Sequence, residues 1–176
     1  MWALCCRQVT IMSQPKCEAP EMASKIYEIL SNFIFDLESY RAVSRHIKSL
    51  DRNEPSRPLW ILFSNNCLMM ATVEWCKVFG SEKNNKTHYS QFIDPLEGIE
   101  EVTKDMKEFR DKYISHYDFY NKPVPIMNKA VEIVERFDKA MLEKYKTASQ
   151  ESTEAFIAKT RKEIRERLKS IVGSEV

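Results

Sequence analysis

The hydrophobic positions of this chain recur at three- and four-residue steps in successive stretches parted by breakers, the pattern of amphipathic helices. A first helix is predicted from Pro20 to Lys48, with Ile26, Leu30, Phe33, Leu37 and Tyr40 along one side. Pro20 suits a first-turn position. The run from Leu50 to Pro58, carrying Asp51, Asn53, Pro55 and Ser56, ends this helix. A second helix, Leu59 to Phe79, is apolar on most faces and is expected to be the most buried element. Gly80 stands where a left-handed C-terminal cap belongs, and a polar loop from Ser81 to Gln91 follows. The third helix is predicted to open at Asp94-Pro95-Leu96-Glu97, which reads as an N-cap, a first-turn proline and a capping-box glutamate. Its seam runs through Ile99, Val102, Met106, Phe109, Tyr113 and His116, with Arg110 just beside it. Pro123 and Pro125 close this helix and start a fourth, Pro125 to Lys146, whose seam is Met127, Ala130, Val134, Phe137 and Met141. After a polar link from Thr147 to Thr153, a highly charged fifth helix ends near Val172, with Gly173 beyond. Its apolar face is thin (Phe156, Ile157, Ile164, Leu168, Ile171), which suits the edge of a bundle or an oligomer contact.

Five amphipathic helices with short connections and almost no strand signal predict an all-α, largely up-and-down bundle: four core helices plus the charged C-terminal one. Residues 1–19 read as a disordered or misassigned leader, with Met12 and Met22 as alternative starts to Met1. Residues 20–146 read as the bundle, and residues 147–176 as a C-terminal helix packed on it or at an oligomer contact.

Composition removes several functional classes. Gly80, Gly98 and Gly173 are the only glycines, too few and too scattered for a phosphate-cradling or dinucleotide-binding loop. A formal net charge of +1 provides no global field for coating nucleic acid, although a local basic site remains compatible with it. The cysteines are Cys5, Cys6, Cys17, Cys67 and Cys76. Their odd number and the lack of a C-x-x-C pair argue against a disulfide framework or zinc site and for reduced thiols, hence a cytoplasmic protein. The apolar N-terminus, Met1 to Cys6, is far too short to span a membrane and has no basic residue ahead of it to make a secretory signal. No membrane association and no cofactor are expected.

The segment Arg110-Asp111-Lys112-Tyr113-Ile114-Ser115-His116-Tyr117-Asp118 is where the chain concentrates groups suited to chemistry. A permanent guanidinium that holds phosphate and an imidazole that moves a proton suffice for metal-free RNA cleavage, in which the neighbouring 2′-hydroxyl is the nucleophile. His116 would serve as general base or acid, Arg110 would stabilise charge on the phosphate oxygens, and Asp111 would orient one of them. On an ideal helix six residues advance about 600°, which leaves Arg110 and His116 about 120° apart. They can share one target if Arg110 reaches around the helix, if the helix loosens, or if two copies of the segment meet across a two-fold axis.

An Arg-polar-x-x-x-x-His string late in a helix of an all-α bundle resembles the HEPN superfamily (higher eukaryotes and prokaryotes nucleotide-binding). Arg110-Asp111-Lys112…His116-Tyr117-Asp118 is most similar to its abortive-infection-associated branch, whose members often carry Arg-Asn-Lys-x-x-x-His-x-Asp. Trp75-Cys76-Lys77-Val78-Phe79-Gly80, followed by His88-Tyr89, adds to the resemblance, which covers residues 22 to 146. Asp111 departs from the common asparagine and sets a negative charge near the expected phosphate. The resemblance implies a homodimeric, metal-independent endoribonuclease in a toxin or phage-defence role, with RNA as substrate, an antitoxin-type protein as partner, and Arg110, Asp111 and His116 as the site. It equally admits a non-catalytic helical module kept for dimerisation or for binding a nucleotide or partner.

The remaining candidates have plainer readings. His46 and His88 are expected to be ordinary surface or helix-end residues, and no metal site is expected from His88, His116 and Asp118. Glu97, Glu100, Glu101, Asp105 and Glu108 read as the solvated face of the third helix. Cys67 and Cys76 read as core residues. The charges of the fifth helix alternate in sign, as on a solvated face.

Overall fold

The computed structural model describes residues 18–80, 85–114, 124–145 and 153–172. Among these there are five α-helices and no strand: α1 Glu18–Ser49, α2 Arg57–Phe79, α3 Ile99–Phe109, α4 Met127–Tyr145 and α5 Thr153–Val172. The chain is an all-α helical bundle. A 3₁₀ turn, Tyr89–Gln91, lies between α2 and α3, and α3 continues directly into a π-helical turn, Arg110–Ile114. The predicted leader lies outside the described residues except for Glu18 and Ala19, which already belong to α1.

The main core forms where the apolar stripes of four helices converge. Ile26, Phe33 and Leu37 of α1 meet Ala71, Trp75 and Phe79 of α2, Met106 of α3, and Ile133 and Phe137 of α4, all essentially inaccessible to water. Phe79 stands at the junction, with its ring centroid 4.9 Å from Trp75, 5.7 Å from Tyr89 and 5.6 Å edge-on from Phe137. Polar ties fix the elements around it. Thr103 donates to the Phe79 carbonyl at the end of α2 (3.0 Å), Arg136 of α4 to the Glu97 carbonyl (2.8 Å), and Tyr27 of α1 to Asp138 of α4 (3.1 Å).

α5 docks on α1 through a second, smaller core of Ala42, Val43, Ile164 and Leu168, with Ile47 and Trp60 packed against it. Beside it a buried carboxylate meets two partly exposed arginines. Arg161 grips Glu38 with two hydrogen bonds of 2.8 and 3.1 Å, and Arg41 adds a third at 2.5 Å while also reaching Asn128 of α4 at 2.6 Å. Burial pushes the Glu38 carboxyl up, but the hydrogen bonds and charges of Arg161 and Arg41 outweigh it and hold the group below the usual carboxylate range.

Three local expectations are corrected. α2 is not buried throughout: Leu59 is 67% exposed and Leu62 57%, with Ile61, Phe63 and Met70 also open to solvent. Continuous burial begins to dominate only from Ser64 onward, where α2 lies between α1 and α3. Gly80 is not left-handed but extended (φ −67°, ψ −174°); what it needs is room, because a Cβ there would stand 2.3 Å from the Cys76 carbonyl oxygen. The left-handed glycine is Gly98 (φ +75°), and α3 begins after it at Ile99 rather than at Asp94. The turn at Gly98 breaks the helical run that Asp94-Pro95 was expected to start.

Candidate functional site

Arg110 follows directly on Phe109, whose ring is buried in the main core. From Arg110 to Ile114 the backbone opens from α into π geometry, in which hydrogen bonds close i→i+5. Such turns are rare and concentrate at functional sites, because they shift side chains out of α-helical register. The Arg110 Nε donates to Asp111 Oδ1 at 2.8 Å, so the two neighbours form one charged unit, with Asp111 more exposed than Arg110 (58% against 32%). Lys112 pairs back to Glu108 on α3. On the inner side the π turn packs against α2, close enough for the Arg110 charge to act on Cys76.

His116, Tyr117 and Asp118 lie outside the described residues. The structure brings Arg110 and Asp111 together. A π turn also changes the rotation per residue, so the 120° offset of an ideal α-helix does not carry over to this pair.

The expected solvated face of α3 is present, with Glu100, Glu101, Asp105 and Glu108 all exposed. Asp105 nonetheless has a structural task, accepting from the Ile126 N–H (3.2 Å) ahead of α4. Cys67 and Cys76 are buried free thiols, each pushed up to about 11 by desolvation, which makes them core residues and poor nucleophiles. Among the described residues no group of three or more His, Cys, Asp or Glu side chains stands ready to hold a metal ion.

The two described histidines lie at helix ends, one of the two positions expected of them, but both are buried rather than on the surface. His88 is 3% exposed and ties a loop shut. Its Nε2 donates to the Gly80 carbonyl (2.6 Å), and its Nδ1 accepts from the Ser90 N–H at the start of the 3₁₀ turn. Both ring nitrogens are used, so His88 is structural. His46 is 5% exposed, and neither of its ring nitrogens has a hydrogen-bond partner among the described residues. Its ring sits edge-on to Trp60 at 4.9 Å. A buried polar atom left unpaired costs about 1–3 kcal/mol, which marks His46 as unusual for a purely packing residue. Sequence periodicity could not find it, because its burial depends on Trp60 and α5, remote in the chain.

Comparisons with protein-family models, with curated proteins and with solved structures find no match to this chain. No helix among the described residues is long and apolar enough to cross a membrane.

Proposed function

We propose that the chain is a metal-independent endoribonuclease of HEPN type, with Arg110 and His116 contributed to a shared site by two copies in a homodimer. The observation that carries this reading is the π turn beginning at Arg110. The helix departs from α geometry at the first residue of the motif, and Asp111 fixes the guanidinium that would receive a phosphate. His116 would take the 2′-hydroxyl proton or return one to the departing 5′-oxygen. A toxin or phage-defence role, restrained by an antitoxin-type partner, follows from the same resemblance.

The test is RNA cleavage in EDTA. The wild type is expected to release fragments ending in 2′,3′-cyclic phosphate, with Arg110→Ala and His116→Ala each reduced by about a hundredfold or more. Equal cleavage by all three proteins, or none by any, sinks the proposal.

A second reading, a non-catalytic dimerisation module, is favoured by the open apolar face of α2. Exposed apolar groups gathered as Leu59, Leu62 and Phe63 are mark an interaction surface. If a Leu62→Glu, Phe63→Glu variant turns monomeric and loses every cellular effect while His116→Ala keeps them, this second reading replaces the first.

A further inference from the structure

Several cations of α1 and α5 are met by carboxylates. Arg41 and Arg161 are consumed by Glu38, and Arg167 pairs with Glu163 at 2.6 Å. Arg45, Arg165 and Lys169 have no carboxylate partner among the described residues. These three line one cleft of about 460 Å³ between the end of α1 and the last turns of α5, together with His46 and Ser49. Among the described residues no acidic side chain lines it. His46, the buried ring with two unpartnered nitrogens, forms part of its wall.

The ordinary reason for basic residues near a helix C-terminus is compensation of the terminal carbonyls. That task is already done at α1. Arg57 donates to the Ile47 and Leu50 carbonyls (2.8 and 3.0 Å), and Ser49 Oγ and the Leu50 N–H both donate to the His46 carbonyl. Arg45, Arg165 and Lys169 face a cleft whose wall includes the His46 ring, its two nitrogens shielded from solvent. Two guanidinium forks and an ammonium match a tetrahedral, doubly charged oxyanion better than a single carboxylate. The volume exceeds what a bare oxyanion fills and falls in the range of small-ligand sites.

We propose that this α1–α5 cleft binds a small phosphomonoester, its phosphate held by Arg45, Arg165 and Lys169 and met at the cleft wall by His46. No residue that lines it belongs to α3 or to the π turn, so it is independent of the Arg110 segment. A turn of the His46 ring toward the phosphate would give one of its N–H groups the acceptor it lacks among the described residues, and the ester group lies in the remaining volume.

The test is calorimetric titration of the full chain with inorganic phosphate and with glycerol phosphate at constant ionic strength. Arg165→Gln with Lys169→Gln removes two exposed cations without touching the core. Lys139→Gln with Lys162→Gln, both exposed and away from the cleft, is the charge-matched control. His46→Phe is the third variant, its fold checked by circular dichroism, and the His46 ring ¹⁵N resonances of the wild type are followed alongside.

Saturable binding is expected for the wild type and the control. It should weaken about tenfold or more in the double cleft variant and in His46→Phe, with the wild-type His46 resonances moving on saturation. Three results overturn the proposal: no saturable binding of either compound, equal binding by the cleft variant and control, or His46 resonances that stay still on saturation. A single-stranded RNA without terminal phosphate is titrated in parallel. Binding of that RNA with no response to the small phosphates overturns it as well, since the cleft would then be reading a nucleic-acid backbone.

Discussion

At the scale of single residues, the carboxylates of α1 show how environment decides what a charge does. Burial pushes the Asp36 carboxyl up to about 6, with the Glu74 charge adding to the effect and Lys77 opposing it. A carboxyl whose folded value is raised binds protons more readily folded than unfolded. It therefore weakens the fold progressively as pH rises from about 4 through about 6. Asp36→Asn is expected to raise stability at pH 7.5 by about 1 kcal/mol, after allowing for screening of a half-exposed group, and to change little at pH 4. Chemical denaturation at the two pH values checks this; equal gains at both contradict the assignment. Glu38 has the opposite sign. Its depressed value means its contribution is present above the ordinary carboxylate range and is lost as pH falls through the folded value. Glu38→Gln is expected to cost about 2–3 kcal/mol, less than a fully buried pair because Arg161 is 41% exposed. For Asp111, replacement by asparagine removes a negative charge beside the proposed phosphate. RNA is expected to bind about three- to tenfold more tightly, read by fluorescence anisotropy.

At the scale of elements, the amphipathic helices were legible and the uniform one was not. α4 and α5 lie within two residues of their expected positions, because each carries a single apolar stripe between clear breakers. α2 offered no contrast between faces. Its hydrophobicity announced a helix without saying which half had partners, and the first half turned out open. The two glycines exchanged roles for a related reason: a glycine next to a helix signals special backbone but not whether the need is a left-handed turn, as at Gly98, or space, as at Gly80. The burial of His46 was hidden because part of its cover comes from distant α5, and that of His88 because its bonds to Gly80 and Ser90 leave no periodic signal. The candidate site was half legible. Arg110 and Asp111 are paired, whereas the π turn left no mark in the hydrophobic spacing. Deleting Lys112 should let α geometry replace the π turn, since the bulge holds one residue more than an α-helical path needs. RNA cleavage is expected to vanish while far-UV circular dichroism and the melting temperature hold; retained cleavage would show that the π turn has no part in the site.

At the scale of the whole molecule, the bundle has two unlike ends. One is a closed core in which α1, α2, α3 and α4 bury their aromatic rings around Phe79. The other joins α1, the open half of α2 and α5 through a small core, an ion pair and a cleft whose positive charges lack carboxylate partners among the described residues. The π turn sits against the closed end of α2, where the rigid core can hold Arg110 steady. A shared site made from two chains predicts complementation between inactive variants. Arg110→Ala and His116→Ala proteins, mixed and allowed to exchange subunits, generate mixed dimers in which one of the two sites has both its arginine and its histidine. RNA cleavage in EDTA should then return to about a quarter of the wild-type rate, since about half of the dimers are mixed and each has one intact site. A mixture no more active than either variant alone, with subunit exchange confirmed, contradicts a site built across two chains.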